Sequence, residues 1–316
     1  MTGGVDLGGT KIQTVVLRDG EVVGSARVLT PQSGQAGDVI EAVAGTIHAA
    51  LEQAVLEPPD LRAIGIGTPG EIDSRAGVVS LAANVPGFAD RVELGPALSK
   101  HMEGIPVRID NDVSVGVLGE FKRGAGRPFK NLLGVWVGTG VGGGLVLDGK
   151  LHDGRGAAGE IGHAVVKPGG RKCGCGRHGC VEAYAGRARM EQRALYLHKR
   201  GTATSLFKIM KEQEKDRLSS GVFAKALKTG DKLTRHLIDE ATWALGLGLA
   251  SAQNLLDLEA IIVGGGLGDR LGQPFVDQIV ENMTPHLFTP DKPPRMLTTE
   301  LGDLSGAVGA AVLAGG

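Results

Sequence analysis

The chain has 316 residues, room for two domains of ordinary size, and its 42% hydrophobic and 22% charged residues suit globular units with sizeable cores. A formal net charge of −1 offers no electrostatic footing for nucleic acid or an anionic membrane, and no apolar run approaches the roughly 20 residues of a membrane-spanning helix. Met1-Thr2-Gly3-Gly4 lacks the charged and apolar regions of a secretory signal, and the three cysteines crowd between positions 173 and 180. An odd, clustered set is a poor disulfide framework and a good metal site, so a reducing cytoplasm is the expected location.

In chain order, Val5-Asp6-Leu7 predicts a strand that runs into the turn Gly8-Gly9-Thr10-Lys11, and Ile12 to Leu17 predicts a second. Asp19-Gly20 signals a hairpin into a third, Glu21 to Val28. Val39, Val43, Ile47, Leu51 and Val55 recur at four-residue spacing and predict an amphipathic helix over 38–55. Short apolar strands over 62–67 and 107–109 end in Thr68-Pro69-Gly70 and Asp110-Asn111-Asp112. The middle of the chain repeats the opening: strand 132–137, turn Gly138-Thr139-Gly140, strand 141–147, hairpin signal Asp148-Gly149, then Lys150-Leu151. Two such copies predict two structurally related halves. Residues 187–256 read as mainly helical, with the charged run Lys208 to Arg217 as a solvated helix face. A buried strand over 260–263 then ends in Gly264-Gly265-Gly266, a helix is expected over 274–283, and a small-residue-rich closing helix over 304–313.

The chemistry concentrates in three places. His163, Cys173, Cys175 and Cys180 offer one imidazole and three thiolates within eighteen positions, the ligand set of a closed, tetrahedral structural zinc site. Thiolates disfavour magnesium and calcium, and a closed site leaves no position for catalysis by the ion. The two Gly-Thr turns can aim backbone N–H groups at phosphate oxygens. Thr10 adds a hydroxyl, Lys11 a positive charge, and Asp6 a carboxylate able to hold hydrated Mg²⁺. Gly138, Gly140 and Gly143 also satisfy G-x-G-x-x-G with Glu160 downstream, but a dinucleotide fold needs a helix after the glycines, and Leu145 to Gly149 reads as strand and turn. Finally, Asp110, Asn111, Asp112, Glu160 and Glu182 supply carboxylates and an amide suited to sugar hydroxyls, which both donate and accept. Glu160 and Glu182 bracket the metal ligands, so the ion would fix both. An aspartate beside a substrate hydroxyl can take its proton during phosphoryl transfer, and spacing leaves Asp110 and Asp112 both open for that role.

These residues carry a resemblance. Asp6-x-Gly8-Gly9-Thr10-Lys11, Pro69-Gly70, Asn84 before Pro86-Gly87, Asn111-Asp112 and Gly138-Thr139-Gly140-Val141-Gly142-Gly143-Gly144 appear in that order. Ala158-Gly159-Glu160-Ile161-Gly162-His163, Cys173-Gly174-Cys175-Gly176, Gly179-Cys180-x-Glu182 and Gly264-Gly265-Gly266 follow. The chain resembles, over essentially its whole length, the ROK family of repressors, open reading frames and sugar kinases, and within it the bacterial ATP-dependent glucokinases.

The resemblance implies an α/β protein of the actin-like ATPase (ribonuclease H-like) fold, with two domains around a substrate cleft. The small domain is expected over 1–111 plus 302–316, and the large one over 112–301 with the zinc loop. It implies ATP-dependent phosphorylation of a hexose, with glucose as the first expectation. Mannose, allose, fructose, N-acetylmannosamine and N-acetylglucosamine are the alternatives. Asp112 becomes the general base and a sugar contact, with Asn84, Asn111, Glu160, His163 and Glu182 as further sugar ligands. The Asp6 to Lys11 and Gly138 to Gly140 turns take the phosphates of Mg²⁺-bound ATP, and Gly264, Gly265 and Gly266 lie near the adenosine. His163 serves twice, one ring nitrogen on zinc and the other toward a sugar hydroxyl. A homodimer or dimer of dimers is implied. A sugar-responsive repressor of the family would need a helix-turn-helix ahead of Asp6, where five residues leave no room. Val113-Ser114-Val115-Gly116 and Ala183-Tyr184-Ala185-Gly186 depart from the family's usual runs, and the cysteines speak against a polyphosphate-dependent relative. Loss of a thiolate is expected to disable sugar binding and leave both nucleotide turns working.

Overall fold

A computed structural model describes every residue from Met1 to Gly316, in two units, Met1–Arg127 with Asp303–Gly316, and Pro128–Gly302. In the first, β1 (Thr2–Leu7), β2 (Lys11–Arg18) and β3 (Glu21–Leu29) form an antiparallel meander. Helix α1 (Ala36–Gln53) packs on it through Val39, Val43, Ile47 and Leu51, all buried. β4 (Ala63–Thr68) pairs parallel with β1. A small hairpin of β5 (Glu71–Asp73) and β6 (Val78–Ser80) and helix α2 (Leu94–His101) lead to β7 (Val107–Asn111), parallel to β4. The sheet reads β3-β2-β1-β4-β7, and α3 (Asp112–Arg123) leaves its last strand.

The second unit builds the same sheet again. β8 (Leu132–Val137), β9 (Val141–Leu147) and β10 (Lys150–Leu151) form the meander, and after five helices β11 (Ala260–Gly264) pairs parallel with β8. Those helices are α4 (Glu182–Ala185), α5 (Arg187–Lys199), α6 (Leu206–Glu212), α7 (Ser220–Lys228) and α8 (Lys232–Leu256). α9 (Gly265–Leu271), α10 (Gln273–Met283) and β12 (Arg295–Thr298) complete it, in the order β10-β9-β8-β11-β12. Strand for strand, the senses match those of the first sheet. Both meanders turn through an Asp-Gly pair with positive φ at each position, 54° and 89° at Asp19-Gly20 and 50° and 76° at Asp148-Gly149. That is the type I′ hairpin whose twist matches its strands. Each unit has its own apolar core. No helix is long and apolar enough to cross a membrane.

The last helix, α11 (Ser305–Gly315), returns to the first unit and packs on α3, β1 and β4. Its small residues let the backbones touch: a Cβ on Gly309 would run into the carbonyl oxygen of Val115. Glu120 on α3 is fully buried, accepts from the Ser305 hydroxyl at 2.7 Å and from Ala125 N–H at 3.0 Å, and so ties the two helices together.

Four details differ from the sequence reading. The division between units falls after Arg127, sixteen residues beyond the expected one after Asn111 (127 − 111), because α3 is fastened to α11. α1 stops at Gln53, and Val55 lies outside it, 91% exposed with φ of 56°. The charged run from Lys208 is helical only to Glu212, with Glu214 at φ 52° and the chain turning to bury Leu218. α2, α3 and β12 were not anticipated.

Candidate functional site

In the first unit the chemistry sits at the ends of β1 and β7. The Gly8 N–H donates to the Lys11 carbonyl at 3.0 Å to close the first turn. The Thr30 hydroxyl donates to the Gly8 carbonyl at 2.6 Å, and Gln32 Nε2 to that of Gly9 at 3.2 Å. A Cβ on Gly9 would collide with the Asn84 carbonyl oxygen, so Asn84 lies directly against this turn. Lys11 Nζ is 3.5 Å from Asp303. Asp6 packs against Gly306, and burial pushes its pKa up to about 6; Lys11 opposes that rise and Asp112 adds to it.

Asp110 and Asn111 are the last residues of β7, paired with Gly67 and Thr68, and Asp112 is the first of α3. The Asn111 side chain caps that helix, accepting from Val113 N–H at 2.9 Å and Ser114 N–H at 3.3 Å. Asp110 accepts from Asn111 N–H at 2.7 Å, and Asp112 from Val113 N–H at 3.0 Å. Burial raises the Asp112 pKa, against hydrogen bonds from the backbone and Asn111 that lower it.

In the second unit His163, Cys173, Cys175 and Cys180 converge, their ligand atoms all within 4.8 Å of one another. Cys175 and Cys180 Sγ are 3.8 Å apart, as are Cys173 Sγ and His163 Nδ1. A tetrahedron with Zn–S bonds of ~2.3 Å and Zn–N of ~2.0 Å has edges of about 3.8 Å between sulfurs and about 3.6 Å from sulfur to nitrogen. The cluster is therefore compatible with a structural zinc ion. Burial pushes the Cys173 thiol up to about 12, while Arg177 Nε, 3.4 Å from Cys175 Sγ, draws that exposed thiol down to about 6. The other ring nitrogen of His163 points away, with Nε2 4.0 Å from Glu160.

Glu182 opens α4 and reaches two ways. Its Oε1 is 3.4 Å from Cys173 Sγ, and its Oε2 accepts from Val141 N–H at 3.1 Å, close against Gly140. Glu182 thus links the cysteine loop to the second Gly-Thr turn. Gly264, Gly265 and Gly266 span the end of β11 and the start of α9. The G-x-G-x-x-G reading fails as expected, since the glycines lead into β9.

A sequence profile described as the ROK family matches residues 2–316. The chain belongs to the ROK family. It is 33% identical over 327 residues to the glucokinase of Streptomyces coelicolor, covering 99% of this chain and 97% of that one. The ROK hexokinase of Thermus thermophilus superposes with a TM-score of 0.82 at 32% identity, covering 99% of this chain and 97% of that one. The ROK-family glucokinase of Streptomyces griseus, solved with glucose and AMPPNP, superposes with a TM-score of 0.80 at 31% identity over 99% and 98% of the two chains. The fold is the actin-like ATPase fold of these ROK sugar kinases.

Two side chains of this ROK protein escaped the sequence reading. Arg187 is buried, and its Nη2 donates to Thr139 Oγ1 at 2.8 Å. Tyr184, at one of the departures from the family pattern, accepts from Arg171 N–H at 3.1 Å and meets Trp243 edge-on at 5.5 Å. Arg171 in turn grips Glu240 of α8 through two bonds of 2.5 and 2.6 Å, mooring the cysteine loop. A lone Arg or Tyr in a helical segment gives no signal of such a role; the neighbouring Glu182 and Gly186 were the only hint.

Proposed function

We propose that this protein is an ATP-dependent hexose kinase that converts glucose to glucose 6-phosphate. The likeness over 99% of the chain to a ROK glucokinase solved with glucose and AMPPNP is the observation that carries the reading. In this reading Asp112 accepts the proton of the sugar hydroxyl. The hydroxyl oxygen bonds to the γ-phosphorus of ATP, and the bond to the β-bridging oxygen breaks as ADP leaves. A carboxylate whose pKa is raised by burial is a better base than an ordinary one, and its place at the start of α3 holds it to one orientation. Asn111, whose oxygen is committed to the helix cap, offers its amide nitrogen as a donor. Asn84, Glu160, His163 and Glu182 bind the remaining hydroxyls.

Gly8, Gly9, Thr10 and Lys11, with Gly138, Thr139 and Gly140, hold the phosphates, and Gly264, Gly265 and Gly266 border the adenosine. Asp6 would hold the waters of the magnesium ion that accompanies ATP, and that ion would screen the phosphate charge. Zinc on His163 Nδ1, Cys173, Cys175 and Cys180 would supply four bonds closing the loop and no chemistry. With Nδ1 on the ion, His163 Nε2 is left as a donor on the side of Glu160. The same reading takes the enzyme to be a cytoplasmic homodimer or dimer of dimers, which sedimentation velocity would check. The test of mechanism is Asp112→Asn, expected to lower kcat by about 10² to 10⁴ with glucose affinity spared. Damage from Asp110→Asn with Asp112→Asn near wild type would reassign the base.

A further inference from the structure

The second Gly-Thr turn is fastened at several points to one short stretch, Glu182 to Ala188. The Gly138 carbonyl accepts from Arg187 N–H and the Thr139 carbonyl from Ala188 N–H, both at 3.0 Å. Val141 N–H goes to Glu182, and Gly140 lies against Glu182 and Gly186. The Thr139 side chain has a partner too: Arg187 Nη2 at 2.8 Å, while Arg187 Nη1 donates to the Leu218 carbonyl at 2.9 Å.

That last pair has a directional consequence. A guanidinium can only donate, so Thr139 Oγ1 must be the acceptor, and the single hydroxyl hydrogen of Thr139 is left to point elsewhere. A threonine hydroxyl between an arginine and a phosphate has both its roles assigned. It accepts from the cation and donates to the anion, and each bond polarises the other. We propose that Arg187 is a positioning residue that fixes the Thr139 hydroxyl as a hydrogen-bond donor to a phosphate oxygen of the nucleotide. The proposal rests on the reading of Gly138-Thr139-Gly140 as a phosphate turn. Only 7% of Arg187 is exposed, and its charge has little compensation around it: Arg217 repels it, and Glu191 offers a smaller attraction. Burying a guanidinium to hold an ordinary hairpin is costly, since a neutral donor would serve. Next to a bound polyphosphate the same charge is favourable. Leu218 belongs to the segment that leaves α6, so Arg187 also ties the turn to that segment.

The test is a double-mutant cycle on the full-length, metal-containing protein, combining Thr139→Val with Arg187→Met. KM for ATP, KM for glucose and kcat are measured for all four forms. Arg187→Met should raise KM for ATP about tenfold or more in the parent, the usual scale of a charge-assisted bond, and leave KM for glucose within about twofold. In the Thr139→Val background, where no hydroxyl remains to be aimed, the same change should raise KM for ATP less than about threefold. Arg187→Lys keeps charge and bulk but cannot span Thr139 Oγ1 and Leu218 O together. It gives a second reading of the same coupling if the Met variant melts early. Equal effects in both backgrounds, or parallel losses for ATP and glucose, would overturn the proposal and leave the phosphate turn standing. An unchanged KM for ATP in Thr139→Val itself would show instead that the phosphate-turn reading is at fault, and the proposal would go with it.

Discussion

Asp112 and Asp6 are carboxylates of the first unit whose pKa values are both raised, and each makes a separate prediction. Asp112 must be ionised to act as a base, so its raised pKa places the acidic limb of kcat/KM above the ordinary carboxylate range. A pH profile checks this, and the residual activity of Asp112→Asn should lack that limb. Asp6 has a folded pKa of about 6 against an ordinary 3.8. Protonation is therefore favoured by folding: the contribution to stability is present below pH 3.8 and is lost as the pH rises through about 6. Asp6→Asn removes that loss, so the ligand-free variant should be more stable than the parent at pH 8, by up to ~3 kcal/mol, and indistinguishable near pH 4. Thermal melts at the two pH values read the difference. The same variant should bind MgATP poorly, which makes Asp6 a place where stability is given up for function. The residue types at both positions were legible because Asp-x-Gly-Gly-Thr and Asn-Asp stand at strand ends. The different settings of Asp110 and Asp112 were not, because Asp110 ends a strand and Asp112 begins a helix that local propensity hides.

At the scale of elements, that helix shows what sequence patterning could not give. Val113, Val115, Gly116, Val117 and Gly119 are poor helix formers, yet α3 packs backbone to backbone on α11 where Gly119 and Gly309 meet. The partner lies nearly 200 positions away in the chain, so no local pattern announces the pairing. Gly309→Ala should therefore destabilise the first unit by about 2 kcal/mol or more, although alanine is the better helix former, because the added methyl meets backbone that cannot yield. Denaturant melts check the sign. The cysteine loop was legible for the opposite reason, since three cysteines and a histidine within eighteen positions need only local turns to converge. What the spacing could not show was the reach of Glu182 from Cys173 to Val141. Pure protein should contain about one zinc per chain by elemental analysis. Cys175→Ser should lose it and suffer in KM for ATP as well as for glucose, on the order of a hundredfold in kcat/KM if the site shifts by ~1 Å. A metal-free Cys175→Ser protein with parental kinetics would end the argument for the ion as organiser.

Across the whole molecule, one strand-turn-strand pattern is used twice. The repeat from 132 to 151 mirrors that from 5 to 28, and the sheets β3-β2-β1-β4-β7 and β10-β9-β8-β11-β12 have matching order and sense. The meanders were legible from alternating apolar runs and Asp-Gly turns. The parallel edge strands were less so: β12 follows Pro293-Pro294, has no apolar run of its own, and is recruited by β11. The two units differ in chemistry, with the acids Asp6 and Asp112 in one and the His163, Cys173, Cys175 and Cys180 cluster in the other. The most direct test of the proposed activity is ADP release, followed with purified, metal-containing protein, MgATP and a panel of glucose, mannose, allose, fructose, N-acetylmannosamine and N-acetylglucosamine. ADP and glucose 6-phosphate are expected in equal amounts, with kcat/KM highest for glucose. A folded protein holding its metal that releases no ADP with any of these sugars would contradict it.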